Sequence, residues 1–558
     1  MAAHPANGKL NNLIGIALQQ QLRFDEAAVH MARACELEPT NPEFHSNLAA
    51  TLILNRRFPE AETAARRAIA LSNERADAHA NLGTALRRQG RQEEAVASFR
   101  AAALLRPDFP SYRTNVGDIL QQLGRINEAI VELRAVVASA PDNLKARSDL
   151  IMTLNYSDAI DGAELLREAR ALGELATRKA SGRRIDARPN RTAGAPLRIG
   201  FVSGDLRHHA VAQFLEGVLP ILRSAGHALY AYATRDAADE MTERLRGWFA
   251  GWHDISRTSD RAAAELVAGH GIHVLVDLSG HSGANRLPLF AYRPAPVTAS
   301  WIGYSGTTGL AEMDYLISDR HVVPEGDAAL HIETPIWLPD SYLLFHRPAS
   351  APETSELPVL ASGHRTFGSF NNLSKLSEVT IATWSRVLNA VAGSRLVLKS
   401  PTLASEEGLR LVAPRFAAHG VGADRLTVLG RIADTSAHLA AYAQVDICLD
   451  PFPYAGTTTT CEALWMGRPV VTLDGARFAA RVGASLLRTA GLADWVAQSE
   501  ADYVEVARQK AADIEGLVQL SRGLRAQVLA SPLMDAERFG SQLNAVFETM
   551  WAERSGRG

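Results

Sequence analysis

The first third of the chain repeats itself every 34 residues, and this period constrains the fold more than any other feature of the sequence. Each unit has a small residue near its start, an alanine near its middle, and a proline or an asparagine at its end. These columns are Gly15, Ala49, Gly83 and Gly117; Ala27, Ala61, Ala95 and Ala129; and Pro39, Asn73, Pro107 and Pro141. Small side chains let two helices approach closely, and proline ends a helix before the next unit begins. The period therefore predicts four stacked helix pairs.

This combination of spacing, small residues and a closing proline is typical of tetratricopeptide repeats. A fifth unit keeps Ala163 in phase, but Arg167 and Arg170 stand where earlier units have small or apolar residues. We interpret the fifth unit as degenerate, either a cap or a transition to the next domain. The repeat array is predicted to occupy residues 1–175.

A polar column runs through the same units. Asn47, Asn81 and Asn115 lie 34 residues apart, in the first helix of each predicted pair. Equal phase places them along one line, which in stacked repeats usually follows the concave face. An amide both donates and accepts, so such a ladder can hold the backbone of an extended peptide in the repeat groove. The alternative is that these amides hydrogen-bond between helices inside the stack.

Composition excludes several classes of protein. The formal net charge of -3 gives no global basic field for nucleic acid. Three cysteines, none in a Cys-x-x-Cys spacing, are too few for a disulfide scaffold and fit a reducing compartment. The N-terminal residues lack an apolar signal core, and no run of about 18 apolar residues follows. We expect a soluble, cytoplasmic protein that does not bind a membrane.

Strands alternate with helices through the rest of the chain, after a linker over residues 176–196. The predicted strands are 197–205, 228–234, 273–280, 297–303 and 314–319, then 366–372, 394–400, 425–431, 445–450 and 469–475. A proline-rich break, 345–358, separates the two series. This order predicts two doubly wound α/β lobes, 197–350 and 360–535, with a cleft between them and a final helix over 536–558. Ligands in such sheets bind beyond the carboxyl ends of the strands.

The stretch GTTTTCE, residues 456–462, lies where a predicted strand turns into a helix. A helix N-terminus offers free N–H groups and the positive end of the helix dipole, and the threonines add hydroxyls. Together they predict a phosphate site. Glu462, on the first turn, is suited to accept hydrogen bonds from a ribose. The alternative is that one threonine only caps the helix.

Further candidates stand after other predicted strands. Lys375 in FNNLSK can neutralise a diphosphate, although a single lysine is more commonly a solvated surface residue. The pair His208 and His209 follows the first strand of the first lobe, and such a pair can hold a general base or merely cap a helix. His438 opens another helix, and His281 follows a strand of the first lobe. Either histidine could contact a ligand.

Absent motifs narrow the chemistry. The sequence has no P-loop, no GxGxxG after the first strand and no GxSxG elbow. No Asp-x-Asp pair follows a strand in a position to hold Mg²⁺ beside a diphosphate. The charge of a bound diphosphate would therefore fall on Lys375, the threonines and the helix dipole.

Long motifs in a fixed order follow the repeats. They read IGFVSGDLRHHAV, RPAPVTASWIGYSGTTGLAEMDYLISD, FGSFNNLSKL, VDICLDPFPYAGTTTTCEALWMGRPVVTL and RVGASLL. With the repeats, they resemble the O-linked N-acetylglucosamine transferase family, specifically its bacterial homologues, over nearly the whole chain. The resemblance implies a GT-B fold and an inverting transfer from a UDP-sugar, typically UDP-N-acetylglucosamine, to Ser or Thr of a protein. It implies neither a metal nor a cofactor.

The resemblance also implies a role for individual residues in the second lobe. The implied UDP-sugar contacts are Lys375 and Asn372 at the diphosphate, Thr458 and Thr459 at the phosphates, Glu462 at the ribose, and His438 with the backbone around Ala433 at the uracil. His209 stands at the family's active-site histidine beside the sugar and acceptor, with His208 as a less suitable neighbour. His281 remains a possible acceptor contact.

Three positions depart from the animal enzymes of that family. Thr457 replaces a histidine, Thr435 replaces a lysine near the nucleotide, and Ala441 replaces an arginine. We therefore expect a nucleotide pocket with fewer charges, still including Thr435 and Thr457 among its contacts. Alternatives are transfer of glucose or fucose, a non-protein acceptor, or a repeat-based adaptor without activity.

Overall fold

The computed structural model describes residues 7–192, 194–348 and 350–555, without the side chains of 405–407. The chain forms two compact units, Met1–Ala146 and Arg147–Gly558. In the first unit, antiparallel helices follow one another in pairs. These helices are α1 (Gly8–Gln20), α2 (Phe24–Leu37), α3 (Pro42–Leu54), α4 (Phe58–Leu71), α5 (Ala76–Arg88), α6 (Gln92–Leu105), α7 (Pro110–Gln122) and α8 (Ile126–Ser139).

The small-residue column lies where the two helices of a pair touch. A Cβ at Gly15 would lie 2.6 Å from the Met31 side chain, and one at Gly117 would lie 2.8 Å from Leu133. The alanine column is fully buried, at 0% exposure for Ala27 and its three counterparts. The period thus encodes close helix packing, and the predicted tetratricopeptide array is confirmed.

The asparagine column links neighbouring repeats. The Asn47 amide donates to the side chain of Asn12 at 3.1 Å, and the Asn81 amide donates to the backbone carbonyl of Ser46 at 3.0 Å. Asn115 donates to the Ser111 carbonyl within its own helix. Asn47 and Asn81 thus make the hydrogen bonds between helices that the structural alternative predicts, whereas the Asn115 amide donates within its own helix. Peptide binding by the ladder stays a prediction.

The second unit contains two parallel sheets. The first has the strands β1 (Arg198–Ser203), β2 (Ala228–Ala233), β3 (Gly251–Asp254), β4 (Val274–Asp277), β5 (Val297–Ser300), β6 (Tyr315–Asp319) and β7 (Thr334–Leu338), in the order β3-β2-β1-β4-β5-β6-β7. The second has β8 (Thr366–Ser369), β9 (Arg395–Lys399), β10 (Leu426–Leu429), β11 (Ile447–Leu449), β12 (Val470–Leu473) and β13 (Val496–Ala497), in the order β10-β9-β8-β11-β12-β13. The two predicted doubly wound lobes are confirmed.

Three strands of these sheets were not predicted. Gly251–Asp254 and Val496–Ala497 are short edge strands whose sequences, GWHD and VA, show no buried apolar run. Thr334–Leu338 begins with Thr-Pro and also lies at a sheet edge. An edge strand needs neither two apolar faces nor a continuous set of backbone donors, so its sequence carries a weak signal.

Helices cover both sheets. They are α9 (Leu144–Leu154), α10 (Gly162–Ala180), α11 (Ala210–Ser224), α12 (Glu240–Arg246), α13 (Asp260–Gly269), α14 (Leu287–Phe290), α15 (Val359–Ser362), α16 (Glu378–Ala390), α17 (Ser405–Ala417), α18 (Thr435–Ala440), α19 (Thr458–Trp465), α20 (Phe478–Thr489), α21 (Glu500–Ala512), α22 (Ile514–Leu529) and α23 (Ala536–Ser555). Helix α23 returns to the first lobe, where Glu548 pairs with Arg191 at 2.7 Å and Glu553 accepts the Tyr315 hydroxyl. In the described part of the chain, no helix is long and apolar enough to cross a membrane.

The fifth helix pair packs on the first lobe. Helix α10 crosses the loop before β6 so closely that a Cβ at Gly173 would lie 1.9 Å from the Gly309 carbonyl oxygen. Ser148, on α9, bonds the His281 ring at 3.1 Å. The boundary between compact units, at residue 146, therefore precedes the predicted boundary at residue 175.

Gly173→Ala should destabilise the protein by about 1–3 kcal/mol, because the added methyl group meets backbone that cannot move aside. Thermal unfolding followed by circular dichroism measures the loss. Gly523→Ala is the matched control: it lies at an exposed position of helix α22, with nothing within 4 Å of the new methyl group. This control should be neutral or up to about 1 kcal/mol more stable. Equal melting temperatures for the two variants would contradict the packing argument.

Candidate active site

Each sheet reverses its strand order once, and the candidate site lies at these two points. The first sheet reverses between β1 and β4, and the second between β8 and β11. In a parallel sheet, the loops that follow such a strand pair diverge and leave a crevice. Loops after β1, β8, β10 and β11 line a common cavity of about 270 Å³ across the cleft. It is lined by His208, His209, Ala210, Gln213, Phe370, Lys399, Ile432, Ala433, Thr435, His438, Thr458, Thr459 and Glu462.

The threonine run begins helix α19. Thr457 precedes its first residue but makes no capping hydrogen bond with its side chain, so the simple capping alternative is wrong. The Thr458 hydroxyl is buried and has no hydrogen-bond partner in the part of the chain that is described. Thr459 donates to the side chain of Asn371 at 3.1 Å. The helix N-terminus therefore presents an uncommitted hydroxyl and backbone N–H groups at the cavity, as an anion site requires.

Lys375 lies beside this N-terminus and outside the cavity lining. Its ammonium group donates to the Ala455 carbonyl at 2.8 Å and lies 4.8 Å from the centre of the Tyr454 ring. Burial lowers the pKa of Lys375 to about 8, against the opposing effect of the Asp450 charge. Lys375 is thus a buried cation next to the threonine loop. Asn372, by contrast, is exposed at the start of a short 3₁₀ turn.

Asp450 holds the threonine loop in place and was missed by sequence reasoning. Its carboxylate accepts the Gly456 backbone N–H at 2.6 Å and the Thr472 hydroxyl at 2.7 Å. Burial raises the pKa of Asp450 to about 6, in opposition to these two hydrogen bonds and to the charge of Lys375. Its position at the end of the strand-like stretch VDICLD was the available signal.

Glu462 and His438 form the opposite wall of the pocket. A Glu462 carboxylate oxygen lies 3.0 Å from Nε2 of His438, while Nδ1 of that ring is buried with no partner in the described residues. The Phe370 ring packs against Tyr442, with ring centres 4.2 Å apart. Ala433 and Thr435 complete this wall. A flat aromatic ring beside hydrogen-bond donors and acceptors fits a nucleobase and its ribose.

Lys399 supplies a positive charge that the sequence had not indicated. Located at the end of β9, it lines the cavity and lies 5.6 Å from the centre of the Phe370 ring. Burial lowers its pKa, while Glu462 acts in the opposite direction. From the uncharged side chains of Thr435 and Ala441, we predicted a pocket with fewer charges. Lys399, which comes from a different strand, partly replaces the positive charge that those two positions lack.

His209 faces the second lobe from the first. As the residue preceding α11, its Nδ1 accepts the backbone N–H of Val211 at 3.3 Å, and the Asp205 carboxylate lies 3.7 Å away. Burial is the largest cause that lowers the pKa of His209, so the ring is neutral near pH 7. With Nδ1 as acceptor, the neutral ring carries its proton on Nε2. This geometry favours orientation of an acceptor hydroxyl over removal of its proton.

Two predicted contacts lie elsewhere. His281 is 2% exposed, its Nδ1 is bonded to Ser148, and burial lowers its pKa to about 3. The prediction that His281 contacts an acceptor is therefore wrong, because its side chain joins α9 to the loop after β4. Thr457 does not line the cavity, although its neighbours do. His208 does line it, and its side chain is exposed.

Two doubly wound lobes that face each other across a cleft define the GT-B class of glycosyltransferase folds. A family model described as glycosyl transferase family 41 matches residues 184–350 and 353–543. A tetratricopeptide repeat model matches 12–77, 53–113 and 81–143. The chain belongs to glycosyl transferase family 41.

Among curated relatives, a Petunia hybrida protein named "Probable UDP-N-acetylglucosamine--peptide N-acetylglucosaminyltransferase SPINDLY" is 37% identical over 64% of this chain and 38% of its own length. An Arabidopsis thaliana protein with the same enzyme name and the label SEC is 30% identical over 64% of this chain and 37% of its own length. The chain thus spans well under half the length of these relatives. A solved mutant of the Thermobaculum terrenum O-GlcNAc transferase is similar in fold, with a TM-score of 0.81 and 32% identity, and the match covers 92% of this chain and 98% of that one.

Asp450→Asn should lower the pKa of Lys375 below about 8, because the amide keeps a hydrogen-bond acceptor but removes the negative charge. NMR titration of lysine side chains labelled at Cε measures this pKa, with Lys375→Arg used to assign the signal. Asp494→Asn, whose carboxylate pairs with Lys510 on the surface, is the matched control and should leave the pKa of Lys375 unchanged. If Asp450→Asn also left it unchanged, the buried pair would not be coupled.

Proposed function

We propose that the protein transfers N-acetylglucosamine, with inversion, from UDP-N-acetylglucosamine to Ser or Thr hydroxyls of protein acceptors. One observation carries this proposal: a single cavity combines the α19 N-terminus, the Glu462–His438 wall and, across the cleft, His209. Family membership, the tetratricopeptide repeats and the names of the relatives support the same donor and a peptide acceptor.

In the proposed mechanism, the second lobe binds the leaving nucleotide. The diphosphate lies at the N-terminus of α19, where Thr458 donates and Lys375 provides a cation. These groups are fixed before the reaction, so they stabilise the charge that develops on UDP without reorganisation. Glu462 accepts hydrogen bonds from the ribose. Because these groups can carry the charge of the diphosphate, we propose that transfer needs neither a metal nor a cofactor.

The first lobe contributes His209. Its Nε2–H lies on the side of the ring opposite the backbone contact, where it can donate to the oxygen of the acceptor hydroxyl. The hydroxyl proton then remains free to move to an oxygen of the departing phosphate as the new glycosidic bond forms. His209 thus positions the acceptor, and the leaving group is the base.

The test is hydrolysis and protein transfer with a panel of UDP- and GDP-sugars, in EDTA and in Mg²⁺, with products read by mass spectrometry. UDP-N-acetylglucosamine should be the best donor in both buffers, with sugar attached to Ser or Thr. Preference for a GDP-sugar, or for a UDP-sugar other than N-acetylglucosamine, would overturn the donor assignment. If no sugar of the panel is hydrolysed or transferred and calorimetry detects no UDP binding in either buffer, the protein is an adaptor and not an enzyme.

His209→Ala and Lys375→Ala should each reduce kcat by about 10²–10³-fold, because each removes a group that acts at the reacting atoms or on the leaving charge. Only Lys375→Ala should also weaken UDP binding, measured by calorimetry. Arg223→Ala, an exposed cation at the end of α11, is the control and should change neither quantity. Equal loss of UDP affinity in both active-site variants would contradict the division of roles.

UDP affinity should decrease as the pH rises through about 8, because Lys375 then loses its proton in the free protein and the bound diphosphate favours the protonated form. The expected decrease approaches about tenfold per pH unit. Calorimetry between about pH 7 and pH 9 measures it. Lys375→Met should bind UDP weakly with no such decrease, and an unchanged decrease in that variant would assign the titration to another group.

A further inference from the structure

A second cavity, of about 410 Å³, lies beyond the carboxyl ends of β1, β2 and β3 in the first lobe. Its wall includes Ser203, Gly204, Leu206 and Arg207, at the start of the loop that carries His209. His209 lines the other cavity, so this single loop separates the two. Two residues of extended chain span at most about 7 Å, so the second cavity lies next to the proposed reacting hydroxyl.

Two arginines in this cavity have no partner. Neither Arg207 nor Arg235 makes a hydrogen bond or an ion pair with any described residue, and the Arg207 Nε atom is buried. The Arg235 side chain passes over two glycines. Its guanidinium would lie 3.2 Å from a Cβ added at Gly204 and 3.0 Å from a Cβ added at Gly283. A buried guanidinium nitrogen without an acceptor costs free energy unless a ligand supplies one.

The other charged side chains of the cavity are already engaged. Their contacts are Arg246 with Glu243 at 3.1 Å, Asp236 with Arg257 at 2.9 Å, and Asp254 with the backbone N–H of Ser256 at 2.8 Å. Arg246 also lies over the Trp252 ring, 5.1 Å from its centre. Arg207 and Arg235 are therefore the two arginines of the cavity that no carboxylate of a described residue contacts, although the Asp254 carboxylate also lines it. Both lie near enough to His209 to contribute to the lowering of its pKa.

We propose that Arg207 and Arg235 bind an oxyanion on the protein acceptor, carried by a side chain within a few residues of the Ser or Thr that receives the sugar. This inference rests on the proposed function. The donor diphosphate is held by the second lobe, so it does not need these arginines. A guanidinium matches the two oxygens of a carboxylate or of a phosphate with paired hydrogen bonds. The site therefore selects acceptors by a negative charge near the modified hydroxyl.

The experiment compares synthetic peptides that differ at one position. Each is a short alanine-rich peptide with a central threonine, and a single glutamate, phosphoserine or glutamine stands within about four residues of it. Transfer from UDP-N-acetylglucosamine is measured as kcat/KM at low and at high salt. At the best position, glutamate or phosphoserine should exceed glutamine by about tenfold, and high salt should reduce this ratio. The two acidic peptides distinguish a carboxylate site from a phosphate site.

Arg207→Gln combined with Arg235→Gln should reduce the acidic-to-neutral ratio to about one, by loss of the paired hydrogen bonds. The double lysine variant keeps both charges without the planar fork and should give an intermediate ratio. Arg261→Gln is the matched control, because this exposed arginine of the same lobe pairs with Glu265 and lies outside the cavity. It should retain the full ratio.

The outcomes separate this inference from the proposed function. Equal kcat/KM for acidic and neutral peptides with the unmodified protein would overturn the inference and leave the proposed function intact. If the protein transfers sugar to none of the peptides, the result counts against the proposed function. The cavity is then tested by titrating fluorescent acidic and neutral peptides into the UDP-saturated protein. Acid-dependent binding that the double glutamine variant abolishes would support the cavity assignment. Binding that the variant leaves unchanged would overturn it.

Discussion

The order of strands in the two parallel sheets is the constraint on which the site depends. Right-handed crossovers send the chain outward from β1 and β8 in one direction, and then back past them to β4 and β11 in the other. The loops at each reversal cannot pack together, so each lobe carries a crevice at the same end of its strands. The chemistry of the site then follows from which side chains end β1, β8 and β11.

Buried charge distinguishes the side of the cleft that the second lobe forms. Asp450 holds the threonine loop in place through two hydrogen bonds. Its charge also opposes the lowering of the Lys375 pKa by burial. Neither group is stable as an isolated buried charge, because transfer out of water costs several kcal/mol per ion. In the proposed mechanism, a bound diphosphate would give Lys375 an anion that is not already committed to the loop. The site is preorganised for a charge that arrives with its ligand.

The first lobe also contains positive charges that no anion in the described part of the protein contacts. Arg207 and Arg235 stand on the far side of the loop that carries His209 and have no carboxylate of their own. Under the proposed function, one cavity takes the donor and the other contacts the acceptor, with His209 between them. Helix α23, which returns to the first lobe, is held there by the ion pair between Glu548 and Arg191 and by the hydrogen bond from Tyr315 to Glu553.

The sequence alone determined the features that repeat or that need no partner. The period of 34 encodes helix pairs because each small residue packs within its own pair, and strand alternation encodes two parallel lobes. Resemblance to known motifs indicated Thr458, Glu462, His438 and His209, which the structure brings into one cavity.

Tertiary structure alone decided contacts between distant segments. Lys399 enters the candidate-site cavity from β9, Asp450 reaches back to Gly456 and Thr472, and His281 is buried against α9. A local pattern can at most place such a residue at the end of a strand, as VDICLD does for Asp450, because its partners depend on which strands lie side by side. The same is true of Arg207 and Arg235, because only the folded structure shows that no carboxylate among the described residues pairs with them.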